Sequence, residues 1–91
     1  ETASLCAAPN PFNPQTEISF VLPDRESVKL TIFDVRGRLV QTLVSGVMPA
    51  GEHSVPWDGR NRAGQSQPSG IYFALLEAGA VRLTQRLALV Q

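Results

Sequence analysis

Large apolar and polar residues alternate with a period of two along most of this chain. No stretch makes a convincing amphipathic helix by the i, i+3, i+4, i+7 spacing. Ile18, Phe20 and Leu22 alternate with Glu17, Ser19 and Val21, and Pro23-Asp24 breaks the run. Val28, Leu30 and Ile32 alternate with Lys29 and Thr31, and Asp34-Val35-Arg36-Gly37 reads as a turn with Gly37 suited to positive φ. Leu39, Val40, Leu43 and Val44 have mixed spacing, which fits a short or bulged strand, with one helical turn as the alternative. Gly46 to Gly51 reads as a loop. His53, Val55 and Trp57 form a further strand, placed at an edge by Pro56. Asp58 to Ser69 is a long polar loop opened by Asp58-Gly59. Gly70 opens a strand over Ile71 to Glu77 whose two faces are both apolar, which suggests a central position, and Val81 to Leu89 forms the last strand. With turn signals every ~8–12 residues, this pattern predicts an all-β fold: an antiparallel β-sandwich of about seven strands, immunoglobulin-like or fibronectin type III-like, with Trp57 at the centre of its core.

Residues 1–15 break the pattern. Pro9, Pro11 and Pro14 alternate with Asn10 and Asn13, so this segment reads as an extended linker pinned to the domain by Phe12, and the sandwich is placed at residues 16–91. The chain opens on Glu1 rather than Met and is expected to be the tail of a longer protein.

With 91 residues there is room for one core. Eight basic residues balance eight acidic ones, which argues against a nucleic-acid binder, since such proteins need a net basic surface. No apolar run approaches the ~18 residues of a membrane helix. Cys6 is the single cysteine, so no internal disulfide forms, and it reads as part of a flexible lead-in.

The search for chemistry predicts no enzyme, no cofactor and no metal site. His53 is the single histidine and sits in phase with Val55 and Trp57, so it reads as a strand residue rather than a catalytic base. Asp58-Gly59-Arg60-Asn61 carries arginine where calcium would need carboxylates. Asp34 and Asp58 could approach as a carboxylate pair, but each sits beside glycine and arginine and reads as a turn cap. Phe12 and Tyr72 are the aromatic residues left over for stacking on a glycan. Arg36, Arg38, Arg60 and Arg62 flank the two glycine turns and would form a basic patch if the turns share one end of the sandwich; solvated loop charges balanced by Asp34 and Asp58 are the plainer reading.

The run Asn10-Pro11-Phe12-Asn13-Pro14-Gln15-Thr16-Glu17-Ile18-Ser19-Phe20 resembles the opening motif of a bacterial domain family. The resemblance continues through Val28–Val40, Thr42-Leu43, Ala50–His53, Val55–Arg60, Gly64 and Ser69–Phe73 to the last strand. The family is the type A C-terminal sorting domain of the type IX secretion system, a relative of the immunoglobulin-like domain of the flagellar hook-capping protein. The resemblance implies structural roles for Asn10, Pro11, Phe12, Asn13, Pro14, Ile18, Phe20, Leu30, Ile32, Asp34, Arg38, Trp57, Asp58, Tyr72 and Phe73. It implies turn glycines at Gly37, Gly51, Gly59 and Gly70.

It further implies a non-catalytic domain that directs a covalently linked upstream cargo across the outer membrane. Its partners would be the outer-membrane secretion machinery and a sortase-like peptidase, cutting between Glu1 and Asn13. The chain would be monomeric, pass through the periplasm and end secreted or at the cell surface. Recognition is expected on the final strand, with Arg82, Arg86 and Gln91 as candidates; many members carry lysine in this segment, where this chain has Arg86. The alternative is an accessory module of an extracellular hydrolase, either carbohydrate-binding or structural.

Overall fold

The computed structural model describes residues 3–91. Seven strands form: β1 (Ser4–Ala8), β2 (Thr16–Leu22), β3 (Glu26–Asp34), β4 (Leu39–Met48), β5 (Gly51–Trp57), β6 (Gly70–Ala78) and β7 (Val81–Leu89). Among the described residues there is no helix. The strands pair antiparallel into a three-stranded sheet ordered β1-β2-β5 and a four-stranded sheet ordered β4-β3-β6-β7. The expected sandwich is therefore present, and the period of two explains it. Ile18, Phe20 and Leu22 project from one sheet toward Val28, Leu30, Ile32, Ala74, Leu76, Leu87 and Leu89 of the other, all buried.

Each sheet explains a sequence feature. β5 is bonded to β2 alone, so Pro56 lies on an edge strand, where a missing donor is tolerated. β6 lies between β3 and β7, as its apolar composition suggested. Its core face is Tyr72, Ala74, Leu76 and Ala78, while Ile71, Phe73 and Leu75 stand on the outer face, half-buried. Phe73, given a structural role by the resemblance, is thus on the solvent side of the sheet.

Three other expectations change. Ser4–Ala8 is not linker but the edge strand β1, paired with β2 from Ser4↔Val21 to Ala8↔Glu17. Leu5 and Ala7 point inward against the core, so the sandwich begins before residue 16. Glu1 and Thr2, at the start of that linker, lie outside the described residues. The third apolar segment is a ten-residue strand, longer than expected, because its pairing with β3 absorbs irregularities between Leu30 and Thr31 and between Ile32 and Phe33. The bulges account for the mixed apolar spacing. The expected loop from Gly46 shrinks to Pro49-Ala50, since Gly46–Met48 continue the strand opposite Val28–Glu26.

Candidate functional site

The proline-asparagine segment after β1 lies along the outer edge of β7. The Phe12 amide donates to the Ala88 carbonyl at 2.9 Å, and the Val90 amide donates to the Phe12 carbonyl at 2.8 Å. One step earlier, the Asn10 side chain continues this parallel pairing in place of a peptide. Its Nδ2 donates to the Arg86 carbonyl at 2.7 Å and its Oδ1 accepts from the Ala88 amide at 3.0 Å. A side-chain amide has the donor and acceptor of a peptide unit, so Asn10 satisfies an edge that would otherwise stay open. Beyond β7, the Gln91 amide donates to Ser69 Oγ at 2.9 Å, and Gln91 Nε2 donates to the Gln67 carbonyl. The end of the chain is thereby tied to the segment at its start and to the loop before β6.

Beneath this clip lies an aromatic trio. Phe12 and Trp57 have ring centroids 5.5 Å apart, and Trp57 meets Tyr72 nearly edge-on at 5.4 Å. All three are buried. The polar tips are satisfied: Trp57 Nε1 donates to the Arg60 carbonyl at 2.9 Å, and the Tyr72 hydroxyl donates to the Pro68 carbonyl at 2.7 Å. Burial, then the nearby Asp34 charge, raises the Tyr72 phenol above its ordinary value. Gly59 is required here by its φ of 75° and by space, because a Cβ would stand 3.1 Å from the Pro14 carbonyl oxygen and 3.4 Å from Leu89. Pro11, Asn13 and Pro14 are exposed.

The two glycine turns share one end of the sandwich. The loop between β5 and β6 is held to the start of β4 by the Arg62 amide on the Val40 carbonyl at 3.1 Å. Gln41 Nε2 adds a bond to the Asn61 carbonyl at 3.3 Å. Asp34 caps the β3–β4 turn. Its carboxylate accepts from the Arg36 and Arg38 amides at 2.9 and 3.0 Å and from Arg38 Nε at 3.0 Å, with Gly37 at φ 81° closing the turn. Asp58 accepts from the Arg60 amide at 3.1 Å, and its other oxygen lies 3.7 Å from Arg60 Nε. Each aspartate thus caps its own turn and pairs with its own arginine. Among the described residues, Arg36 and Arg62 are in no ion pair, so they carry the residual positive charge of this end.

The hydrogen bonds from Arg38, chiefly its amide, hold the Asp34 carboxyl below its usual value of 3.8. A lowered folded-state value means that the Asp34 contribution is complete above 3.8 and is lost as pH falls through the lower value. Asp34→Asn should therefore be less stable than the parent at pH 7, and the gap should close below pH 3.8. Urea midpoints of the two proteins between pH 7 and pH 2 check this; a constant gap would show that the carboxylate charge is irrelevant.

The remaining candidates are distributed as follows. Phe12 and Tyr72 are 2% and 4% exposed, so neither offers the glycan platform considered from the sequence. His53 is half-buried beside Phe20, and its Nε2 lies 2.8 Å from the Pro49 carbonyl oxygen, bracing the β4–β5 turn. Cys6 is a free, exposed thiol on β1 rather than in a flexible lead-in. Gly51 (φ 119°) and Gly70 (φ 156°) begin β5 and β6. Arg82 and Arg86 project from β7 into solvent, with Arg82 3.7 Å from Glu77. The anchor Gln67 was missed by sequence reading, and Ser69 entered only as part of the Ser69–Phe73 motif, with no role assigned to its hydroxyl.

A family model described as FlgD Ig-like domain matches residues 10–80. The basal-body rod modification protein FlgD of Salmonella typhimurium is 43% identical over 47 residues, covering 52% of this chain and 20% of that protein. FlgD of Escherichia coli K12 is 38% identical over 53 residues, covering 58% and 23%. The matched stretch thus spans about a fifth of the length of these curated relatives. Among solved structures, dimeric latent PorU from Porphyromonas gingivalis superposes with a TM-score of 0.74 at 19% identity, over 98% of this chain and 9% of that one. PorZ, described as an essential bacterial surface component of the type-IX secretion system of the same organism, gives 0.68 at 21% identity, over 97% and 12%. FlgD from Pseudomonas aeruginosa gives 0.63 at 25% identity, over 97% and 64%. At their identities, PorU and PorZ are likenesses of fold.

Proposed function

This chain belongs to the FlgD Ig-like domain family, and on that premise we propose that it is a non-catalytic recognition domain: a sorting domain that directs a linked cargo through the type IX secretion system. The observation that carries the reading is the clip. Asn10–Phe12 and Arg86–Val90 are hydrogen-bonded into one edge, so an export machine that reads the folded last strand reads the opening motif with it. The fold likeness to PorZ supports the same system. The partners are then the outer-membrane secretion machinery and a sortase-like peptidase, with passage through the periplasm to the cell surface or medium.

Cleavage needs a further condition. Ser4–Ala8 is strand-paired and Phe12 is bridged to the edge of β7, so a peptidase reaches the bonds at these positions only when β1 or the clip opens.

The test uses the full-length parent protein in its own secretion background. Deleting Val81–Gln91 should leave the cargo in the periplasm, but it also removes Leu87 and Leu89 from the core. A folded companion is therefore needed. Arg82→Ala, Arg86→Ala and Gln91→Ala together change side chains that are exposed, and the triple variant should keep its thermal midpoint within about 5 °C, as surface changes do. Retention of its cargo supports recognition at these residues. Normal export of the folded triple variant contradicts that assignment, and normal export of the deletion contradicts the sorting reading itself.

A second reading, a structural module of an assembled appendage, is favoured by the 43% identity to the basal-body rod modification protein. It predicts concentration-dependent self-association of the isolated 91-residue chain in sedimentation, which the sorting reading does not.

A further inference from the structure

The outer face of the four-stranded sheet carries an apolar cluster where an open sandwich face is ordinarily polar. The register sets its side chains in cross-strand rows. Leu39, Phe33, Phe73 and Arg86 form one row across β4, β3, β6 and β7. Thr42, Thr31, Leu75 and Thr84 form the next, and Ser45, Lys29, Glu77 and Arg82 the third. Phe33, Phe73 and Leu75 are half-buried, and Leu39 is 38% exposed. Thr31, facing outward between them, is only 1% exposed, and its hydroxyl has no hydrogen-bond partner. Its neighbours already cover it, so the centre of this face is nearly dry in the free domain.

We propose that this face is the docking site for another protein, whose contact strip is apolar and flanked by carboxylates. Charge selects that occupant. The rows carry Lys29, Arg82 and Arg86 against Glu77 alone, and Glu77 lies beside Arg82. Among the described residues, neither Lys29 nor Arg86 is in an ion pair. Two copies of this chain stacked on the face would bring like charges together, which disfavours self-pairing. An apolar patch with an uncompensated cationic rim is what an acidic-rimmed partner would complement. This proposal stands whether or not the domain is an export signal.

The test is an NMR titration of the isotope-labelled 91-residue chain with two synthetic peptides, each a short Val-rich strip, flanked at both ends by Glu in one and by Lys in the other. The acidic peptide should shift the amides of Phe33, Leu39, Phe73 and Leu75 and bind about tenfold more tightly than the basic one. Added salt should shrink that difference. Phe73→Ser should abolish the shifts; because it could also disturb folding, Arg86→Glu, at an exposed position, leaves two cations against two carboxylates and should erase the preference in a folded protein. Equal affinity of the parent for the two peptides, an unchanged preference in Arg86→Glu, saturable shifts elsewhere, no saturable shift of this face, or dimerisation through it would each overturn the proposal.

Discussion

Trp57→Ala is expected to be the most damaging single substitution in this domain, lowering its unfolding free energy by about 3–5 kcal/mol. Trp57 is 1% exposed and touches the rings of Phe12 and Tyr72, so its removal leaves a cavity bounded by three separate elements. It also removes the Nε1 bond to the Arg60 carbonyl, which fixes the loop after β5. A domain of this size has ~5–15 kcal/mol in all, so the variant should be marginal, with a thermal midpoint lowered by roughly 15–30 °C. Differential scanning calorimetry checks this. A midpoint within about 5 °C of the parent would mean that the trio is not the keystone of this end.

Phe12→Ala is the second large effect, again about 3–5 kcal/mol, although sequence alone places Phe12 in a linker. The ring is 2% exposed, and the Phe12 backbone makes two bonds, one to Ala88 of β7 and one to Val90 just beyond it. Substitutions at Asn10 separate ring from clip. Asn10→Ala removes two hydrogen bonds and should cost ~1–3 kcal/mol. Asn10→Asp keeps an acceptor for the Ala88 amide but sets a carboxylate against the Arg86 carbonyl, so it should be no better than alanine at pH 7 and recover below about pH 4. In both Asn10 variants, amide exchange at Ala88 should accelerate before that of the β3–β6 core. Uniform acceleration would show instead that the clip and the sandwich open as one unit.

What the sequence displayed and what it hid follow one physical line. β2, β3, β5 and β7 were legible because one face of each is buried, which forces the alternation of apolar and polar residues. β6 was legible as a strand, but its two apolar faces do not say which one meets the core; Tyr72 and Ala74 won over Ile71 and Phe73 only through the register with β3. β1 was hidden because Ser4–Ala8 buries only Leu5 and Ala7, a weak alternation beside a proline-rich stretch. The length of β4 was hidden by Gly46, which punctuates a sequence but here continues a ladder opposite Val28.

At the candidate site, the turn caps Asp34 and Asp58 were readable because their partners lie within four residues. The pairing of Asn10 with β7 spans 76 residues, and no local pattern announces a side chain standing in for a peptide. The motif drew attention to Asn10, but only the fold shows what it holds.

The sorting claim is tested most directly by transplantation. The 91 residues are appended to a reporter that is already directed to the periplasm of a bacterium with a working type IX system. The reporter should then be found outside the outer membrane, while the same fusion carrying Trp57→Ala stays in the periplasm. A parent fusion whose appended domain is folded and protease-resistant, yet whose reporter remains wholly periplasmic, would contradict the account.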